Sequence, residues 1–368
     1  MKQRVSLFIF IFLASCQALP ASPAATLPPP NVLIETMTPA PTPTETLTPV
    51  PTLTVEQLIF PYTIEGLRQH TYQSGKVTIR ATLEENETHT SYLIEYPSDG
   101  LTITGVMQIP VGEGPFPVII MNHGFYSRSA YSTGDGTDRA SAYLAKRGYI
   151  TLASDYRSWG ASDVGESLFY SGLAIDVINL INAVPSIPEA DPSRIGMWGH
   201  SMGGGVTIKA LTIDSRIKAA VLYSTVSADH ADLIERWGNG CFGDIARGEQ
   251  TNGCNSSDVI PDTLPSTLQE AYRAAAKSAD LMQQVSPIFH LQNITAPIQI
   301  HYGTEDGLAY SGTPPEWSKK LYESLRGVNK DVELLAYEGE GHSFRPDPWF
   351  AFMGRVGRFF DEHVRNAK

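Results

Sequence analysis

Positive charge is scarce in this sequence. Its 368 residues hold 27 Lys and Arg against 39 Asp and Glu, a formal net charge of −12. No long basic run occurs, and nucleic acid as a partner needs a basic surface, so that class of function is set aside. Long hydrophobic runs are also missing: after Cys16 no stretch is apolar for long enough to span a bilayer. Metal-ligand spacing such as His-Glu-x-x-His is absent, so no metal and no other cofactor is implied. No internal repeat is visible. What is there is an apolar content of 42%, enough for a real core, in a length that suits one large domain or two small ones.

The first residues read as a targeting segment. Lys2 and Arg4 make a positive start, and Val5 to Ala14 is an apolar run too short to be a comfortable membrane span. The run ends Leu13-Ala14-Ser15-Cys16, which resembles the lipobox of bacterial lipoproteins. That resemblance implies a signal peptide over residues 1–16, a lipidated Cys16, and an exported protein anchored to a bacterial membrane at the cell surface. Two or more acyl chains make such anchoring stable where one is marginal. The alternative is an ordinary cleaved signal with an incidental cysteine. Residues 17–55 follow, dominated by Pro, Thr and Ala, with a repeated Thr-Pro theme from Pro39 to Thr54. Such a segment has little to bury and favours extended polyproline II, a semi-rigid spacer.

Residues 56–368 carry the globular pattern. Ser91 to Tyr96 and Leu101 to Ile109 read as strands joined by a Ser98-Asp99-Gly100 turn. Pro117 to Asn122 is a continuous apolar run, the mark of a strand buried on both faces. Helices near Asp138 to Arg147 and Gly172 to Ala183 then alternate with strands at Tyr149 to Ser154, Arg194 to Trp198 and Ile217 to Tyr223. This alternation predicts a mostly parallel sheet with helices on both faces. Residues 227–292 interrupt it and read as an inserted cap, with one apolar-periodic helix from about Leu264 to Gln284. Alternation resumes with strands at Pro297 to Tyr302 and Val332 to Tyr337, and helices at Pro315 to Arg326 and Trp349 to Val364.

The strand at Arg194 to Trp198 runs into Gly199-His200-Ser201-Met202-Gly203, and Val206 to Leu211 continues as helix. Strand, G-x-S-x-G and helix in that order make a nucleophile elbow. The turn is sharp, and a Cβ at Gly199 or Gly203 would collide with a neighbouring element. The helix points its free N–H groups at the serine. A serine hydroxyl needs a base to take its proton. On such an elbow the partners follow in the order Ser, carboxylate, His. The loop after the Pro297 strand holds Glu305-Asp306, and the loop after the next holds Gly341-His342. The roles that follow are Ser201 as nucleophile, His342 as general base and then acid, and Asp306 as orienting carboxylate.

The chain thus resembles the α/β-hydrolase superfamily, in its dienelactone-hydrolase and prolyl-oligopeptidase-like branch. Four segments carry the likeness: Asn122-His123-Gly124-Phe125, Asp155 to Ser162, Gly199 to Gly203, and Gly303 to Asp306 with Gly341-His342. The resemblance implies an α/β-hydrolase fold and an oxyanion hole made by the backbone N–H groups of Phe125 and Met202. It implies that His123, a rival base, serves loop structure and that Asp155 organises the active-site wall. His200, beside the serine, is expected to point away from Oγ, and Glu305, beside Asp306, is the rival acid. Cys241 and Cys254 lie in one Gly- and Asn-rich stretch, which suggests a disulfide in an exported protein, against two free thiols. The leading function is a serine hydrolase of carboxylic esters. A serine peptidase acting on short peptides is the second; only residues 55–116 precede the core, too few for that group's propeller. A binding protein on a dead hydrolase fold is the third. The insertion is expected to wall the pocket and do no chemistry.

Overall fold

The computed structural model describes residues 53–243 and 254–367. Cys16, the signal segment and nearly all of the Pro/Thr-rich stretch lie outside the described residues. The globular chain opens on two short helices that apolar periodicity did not announce. α1 (Val55–Ile59) starts at a reciprocal cap in which Gln57 N donates to Thr54 Oγ1 at 3.3 Å and Thr54 N donates to Gln57 Oε1 at 2.9 Å. α2 (Ile64–Gln69) is capped by Thr63, whose hydroxyl accepts from Gly66 N at 2.9 Å.

β1 (Thr78–Glu85), β2 (His89–Ser98) and β3 (Leu101–Pro110) form an antiparallel meander. β1 is exposed throughout, shifts register twice against β2, and carries Arg80, Glu84 and Glu85. Charge and irregularity of this kind blunt a sheet edge. The alternating part follows: β4 (Phe116–Asn122), α3 (Asp138–Lys146), β5 (Ile150–Ser154), α4 (Ser171–Ala183), β6 (Ala190–His200), α5 (Met202–Ile213) and β7 (Ile217–Tyr223). The insertion then holds α6 (His230–Trp237), β8 (Gly240–Gly243), β9 (Asn255–Pro261), α7 (Ser266–Ala275) and α8 (Ala279–Val285). β10 (Ile298–Gly303), α9 (Pro315–Gly327), β11 (Val332–Tyr337) and α10 (Pro346–Phe360) complete the chain's main elements. The central sheet runs β1-β2-β3-β5-β4-β6-β7-β10-β11, and every pairing from β5 to β11 is parallel.

Side-chain alternation along the strands explains the layers. Val118 and Ile120 of β4 enter one core with α4, α5 and α9, whereas Ile119 and Met121 enter another with α3 and α10. α5 is apolar around nearly its whole circumference because sheet, helices and insertion cover it on all sides. The insertion has its own core of Ile260, Leu264, Tyr272, Leu281 and Val285, which α1 joins through Ile59. The single helix expected over Leu264 to Gln284 is two. Ser278 breaks it: its backbone is extended, its hydroxyl accepts from Leu281 N, and Asp280 follows in the first turn of α8.

Ser201, Asp306 and His342 follow β6, β10 and β11, respectively. All three therefore sit beyond the carboxyl ends of parallel strands, the edge where open α/β sheets place their sites.

Candidate active site

The elbow is as tight as its glycines suggest. Ser201 has φ 56° and ψ −122°, a strained conformation for a residue with a side chain. A Cβ on Gly199 would stand 2.3 Å from Gly203 O, and one on Gly203 would stand 2.0 Å from Asn122 O. Ser201 N donates to Tyr223 O at 3.0 Å, and Ser201 O accepts from Gly204 N at 2.9 Å and Val226 N at 3.2 Å. The serine is thus held by its own helix and by β7.

Ser201 Oγ lies 2.9 Å from His342 Nε2. His342 Nδ1 faces both oxygens of Asp306, at 3.1 and 3.0 Å. Asp306 is buried and accepts three further bonds, from Gly307 N at 2.8 Å, Thr313 N at 2.9 Å and Thr313 Oγ1 at 2.7 Å. Burial pushes its pKa up, but the bonds from His342 and Thr313 outweigh this and leave it below the usual carboxylate value. Glu305, the rival, is exposed. The geometry brings Ser201, His342 and Asp306 into one relay and leaves Glu305 out of it. A proton on the serine can pass to an imidazole whose far side rests on a carboxylate.

His200 does not reach Oγ. It is neutral, its pKa lowered to about 3 by burial and by the neighbouring His342. Its Nε2 donates to His342 O at 3.1 Å, and its ring stacks on Tyr223 at 4.5 Å. The residue beside Ser201 therefore holds the backbone of His342. His123 is buried between Tyr131 and Tyr156, with Nδ1 at Gly124 O and Nε2 at Asp155 O. Asp155 gathers Thr104, Tyr131, Thr133 and Gly134 N, which fixes the wall around the His123 loop. That loop abuts the serine, since a Cβ on Gly124 would stand 3.1 Å from Ser201 Cβ.

A cavity of about 370 Å³ opens on Ser201. Phe125 and Met202, the residues expected to supply the oxyanion hole, both line it. Val226, Trp237, Asn255, Ser257, Tyr310 and Ser311 complete most of the wall. Cys254 also lines it and is joined to Cys241, with Cα atoms 5.1 Å apart. The alternative of two free thiols is thereby corrected.

The sequence model described as "Serine aminopeptidase, S33" matches residues 114–348, the span from β4 to the start of α10. The chain belongs to this family. Family membership makes it a serine-hydrolase-type α/β-hydrolase, as the motifs implied. An uncharacterized 31.7 kDa protein of Escherichia coli is 32% identical over 258 residues, covering 64% of this chain and 86% of that protein. Esterase FrsA of Shigella boydii is 30% identical over 128 residues, 34% of this chain and 30% of the esterase. Among solved structures, an acetyl xylan esterase from Paenibacillus sp. R4 superposes with TM-score 0.56 at 19% identity, covering 86% of this chain and 97% of that one. The acylaminoacyl peptidase of Pyrococcus horikoshii gives TM-score 0.56 at 21% identity, over 77% of this chain and 43% of that one. The chain thus spans less than half of the peptidase chain, and both structures share its fold.

Motif reading missed Arg236, Tyr310 and Thr313. Arg236 sits in the last turn of a short helix, Tyr310 lies in a loop, and Thr313 precedes two prolines, so no motif marked them. The one available signal was position: Thr313 and Tyr310 share the loop of Asp306.

Proposed function

We propose that this family member is an exported serine hydrolase that cleaves carboxylic esters. The observation that carries it is the unbroken relay from Ser201 Oγ through His342 to Asp306, with steps of 2.9 and 3.0 Å. Ser201 Oγ attacks the acyl carbon while His342 Nε2 takes its proton. The oxyanion forms before the N–H groups of Met202 and Phe125. His342 then protonates the leaving alkoxide, and the acyl group stays on Ser201. Water then attacks the acyl carbon while His342 takes its proton. As the acyl–Oγ bond breaks, His342 returns that proton to Ser201 and the acid leaves. Asp306 keeps the imidazole in the correct tautomer throughout.

The cavity favours a small neutral acyl group. Phe125, Met202, Val226, Trp237 and Tyr310 offer apolar and aromatic surface, and Asn255, Ser257 and Ser311 offer uncharged hydrogen-bonding groups. Short peptides are the second reading, supported by the family's description as serine aminopeptidases. A panel of p-nitrophenyl acyl esters, feruloyl esters and dipeptidyl amides separates the two. The expectation is ester turnover that exceeds amide turnover and is lost in Ser201→Ala. Turnover of amides alone assigns the enzyme to peptides. Export and anchoring rest on Leu13-Ala14-Ser15-Cys16. A clickable fatty acid should mark the wild type and leave Cys16→Ser unmarked; equal labelling of both removes the lipid anchor.

A further inference from the structure

Beyond Asp306 the chain leaves the sheet, runs through Gly307 to Gly312 and returns at Thr313. The two ends of this loop grip the carboxylate, as described above. Its middle has little core of its own: Leu308 is 83% exposed and Tyr310 is 69% exposed. Exposed loops without apolar anchoring are the first parts of a fold to open. What holds this one comes from the insertion. Arg236 Nη2 donates to Gly307 O at 3.1 Å and to Ala309 O at 3.0 Å. Trp237 Nε1 donates to Tyr310 O at 2.9 Å, and Tyr310 OH donates back to Arg236 O at 2.6 Å. The guanidinium also lies 5.7 Å from the Tyr310 ring and 5.9 Å from the rings of Trp237 and Trp317.

The helix that carries these donors is itself moored. Lys320 of α9 bonds Asp229 and Asp232 at the start of α6, each at 2.9 Å, and Ser286 Oγ accepts from His230 N at 3.0 Å. A rigid helix therefore presents its last turn to a loop that lacks rigidity. The same loop and the same turn supply Tyr310 and Trp237 to the cavity.

We infer that Arg236 is a positioning residue for the triad carboxylate: it clamps loop 307–312 from the insertion, which fixes Asp306 and, through it, His342. The inference rests on the serine-hydrolase reading above and extends it. The insertion then does more than wall the pocket, because acyl-group recognition at Trp237 and Tyr310 is tied to the placement of the acid.

The pH dependence of Ser201 reactivity tests this. The His342 ring faces Ser201 at the elbow, Asp306 and Thr313 from the acid loop, and neutral His200 from β6. A looser Asp306 stabilises the imidazolium less, so the acid limb of the rate profile moves to lower pH. Removing a positive charge near the site would by itself move that limb upward, so the direction separates positioning from charge. The experiment compares wild type, Arg236→Met and Arg236→Lys. It reads kcat and KM on p-nitrophenyl acetate, and the rate of covalent labelling by a fluorophosphonate against pH.

Arg236→Met should lose up to about 100-fold in kcat and in labelling rate, the scale expected when a distant change misplaces a reacting group. KM for the acetate ester should stay nearly constant and the acid limb should move down. Arg236→Lys should recover part of the loss. Unchanged labelling with a lower melting temperature, a change in KM alone, or an acid limb that moves up overturns the inference. Should Arg236→Met fail to fold, Tyr310→Phe removes only the hydroxyl bond to Arg236 O and should slow labelling about threefold; no change there is equally fatal. Labelling needs no knowledge of the substrate. A wild type that labels while the variants match it sinks only the Arg236 assignment. A wild type that does not label sinks the serine-hydrolase reading and this inference with it.

Discussion

The elbow and the acid loop sit at the same edge of the same sheet, yet they are held by different means. At the elbow every constraint is local or comes from the adjacent strand. Gly199 and Gly203 admit the turn, α5 begins at once, and β7 takes the Ser201 N–H. In the acid loop the backbone is set by side chains far away in sequence. Arg236, Trp237 and Tyr310 meet across 71 to 74 positions. Ser201 is thus built into the core, and the loop of Asp306 is bonded from outside it. A hydrolase of this design can vary its insertion without disturbing the serine, but not without disturbing the acid.

Breaking the elbow side should have the larger effect. Ser201→Ala should abolish turnover, by roughly a millionfold, while the fold persists, because the change removes one oxygen from a site that backbone already defines. Steady-state kinetics with circular dichroism checks both halves of that expectation. Asp306→Asn should lose about 10,000-fold in kcat by favouring the wrong imidazole tautomer. Glu305→Gln is the companion measurement. If it is the damaging change and Asp306→Asn is not, the acid is misassigned.

The acid-loop side offers a finer probe. Thr313 gives Asp306 both its N–H and its hydroxyl, and the hydroxyl also stands 2.9 Å from Ser224 O. Thr313→Val keeps the shape and removes the hydroxyl. It should lower kcat about tenfold, the scale of a lost hydrogen bond to a charged group, while Thr313→Ser stays near wild type. Equal activity of Val and Ser variants would show that the backbone N–H groups alone hold the acid.

How much of this was legible follows the same division. The elbow could be read because its determinants are contiguous: strand, Gly199, Ser201, Gly203, helix. Asp306 and His342 could be read because their order and their place after strands are fixed by the fold. The insertion could be placed by the break in alternation, but not its internal structure. Apolar spacing continues across Ser278, so α7 and α8 looked like one helix until the N-cap was seen. Arg236 and Tyr310 escaped because a hydrogen bond between a helix end and a remote loop leaves no pattern in either segment. The Cys241–Cys254 bridge was expected from two cysteines in one Gly- and Asn-rich stretch of a chain read as exported, and the structure joins them.

Smaller effects should come from the body of the insertion. Cys241→Ser with Cys254→Ser opens a loop with a sequence separation of 13. It should lower stability by roughly 3 kcal/mol in the chain-entropy model. Because Cys254 lines the cavity, KM for an aromatic acyl ester should rise more than kcat on acetate falls. Equal loss of kcat on both esters would mean that the bridge also supports the acid loop. Asp258 gives the mildest test. Burial raises its pKa to about 6, against the bonds from Tyr272 and from the Phe169 and Tyr170 backbone and the charge of Lys209. An unfolded carboxylate titrates near about 3.9, so the folded state holds the extra proton between those values. Its stabilising contribution is present below about pH 4 and lost as pH rises through about 6. Asp258→Asn should therefore gain on wild type in melting temperature across that window. A constant difference from pH 4 to 7 would place Asp258 in a more polar setting than its neighbours allow.

The reaction of one serine is the most direct test. The folded protein would be treated with a fluorophosphonate, weighed intact, digested and mapped by mass spectrometry, beside His342→Ala. The expected result is one adduct per chain, on the peptide that contains Ser201, with labelling strongly slowed in His342→Ala. An adduct on another residue, or equal labelling without His342, would contradict the assignment of Ser201 as a nucleophile activated by that histidine.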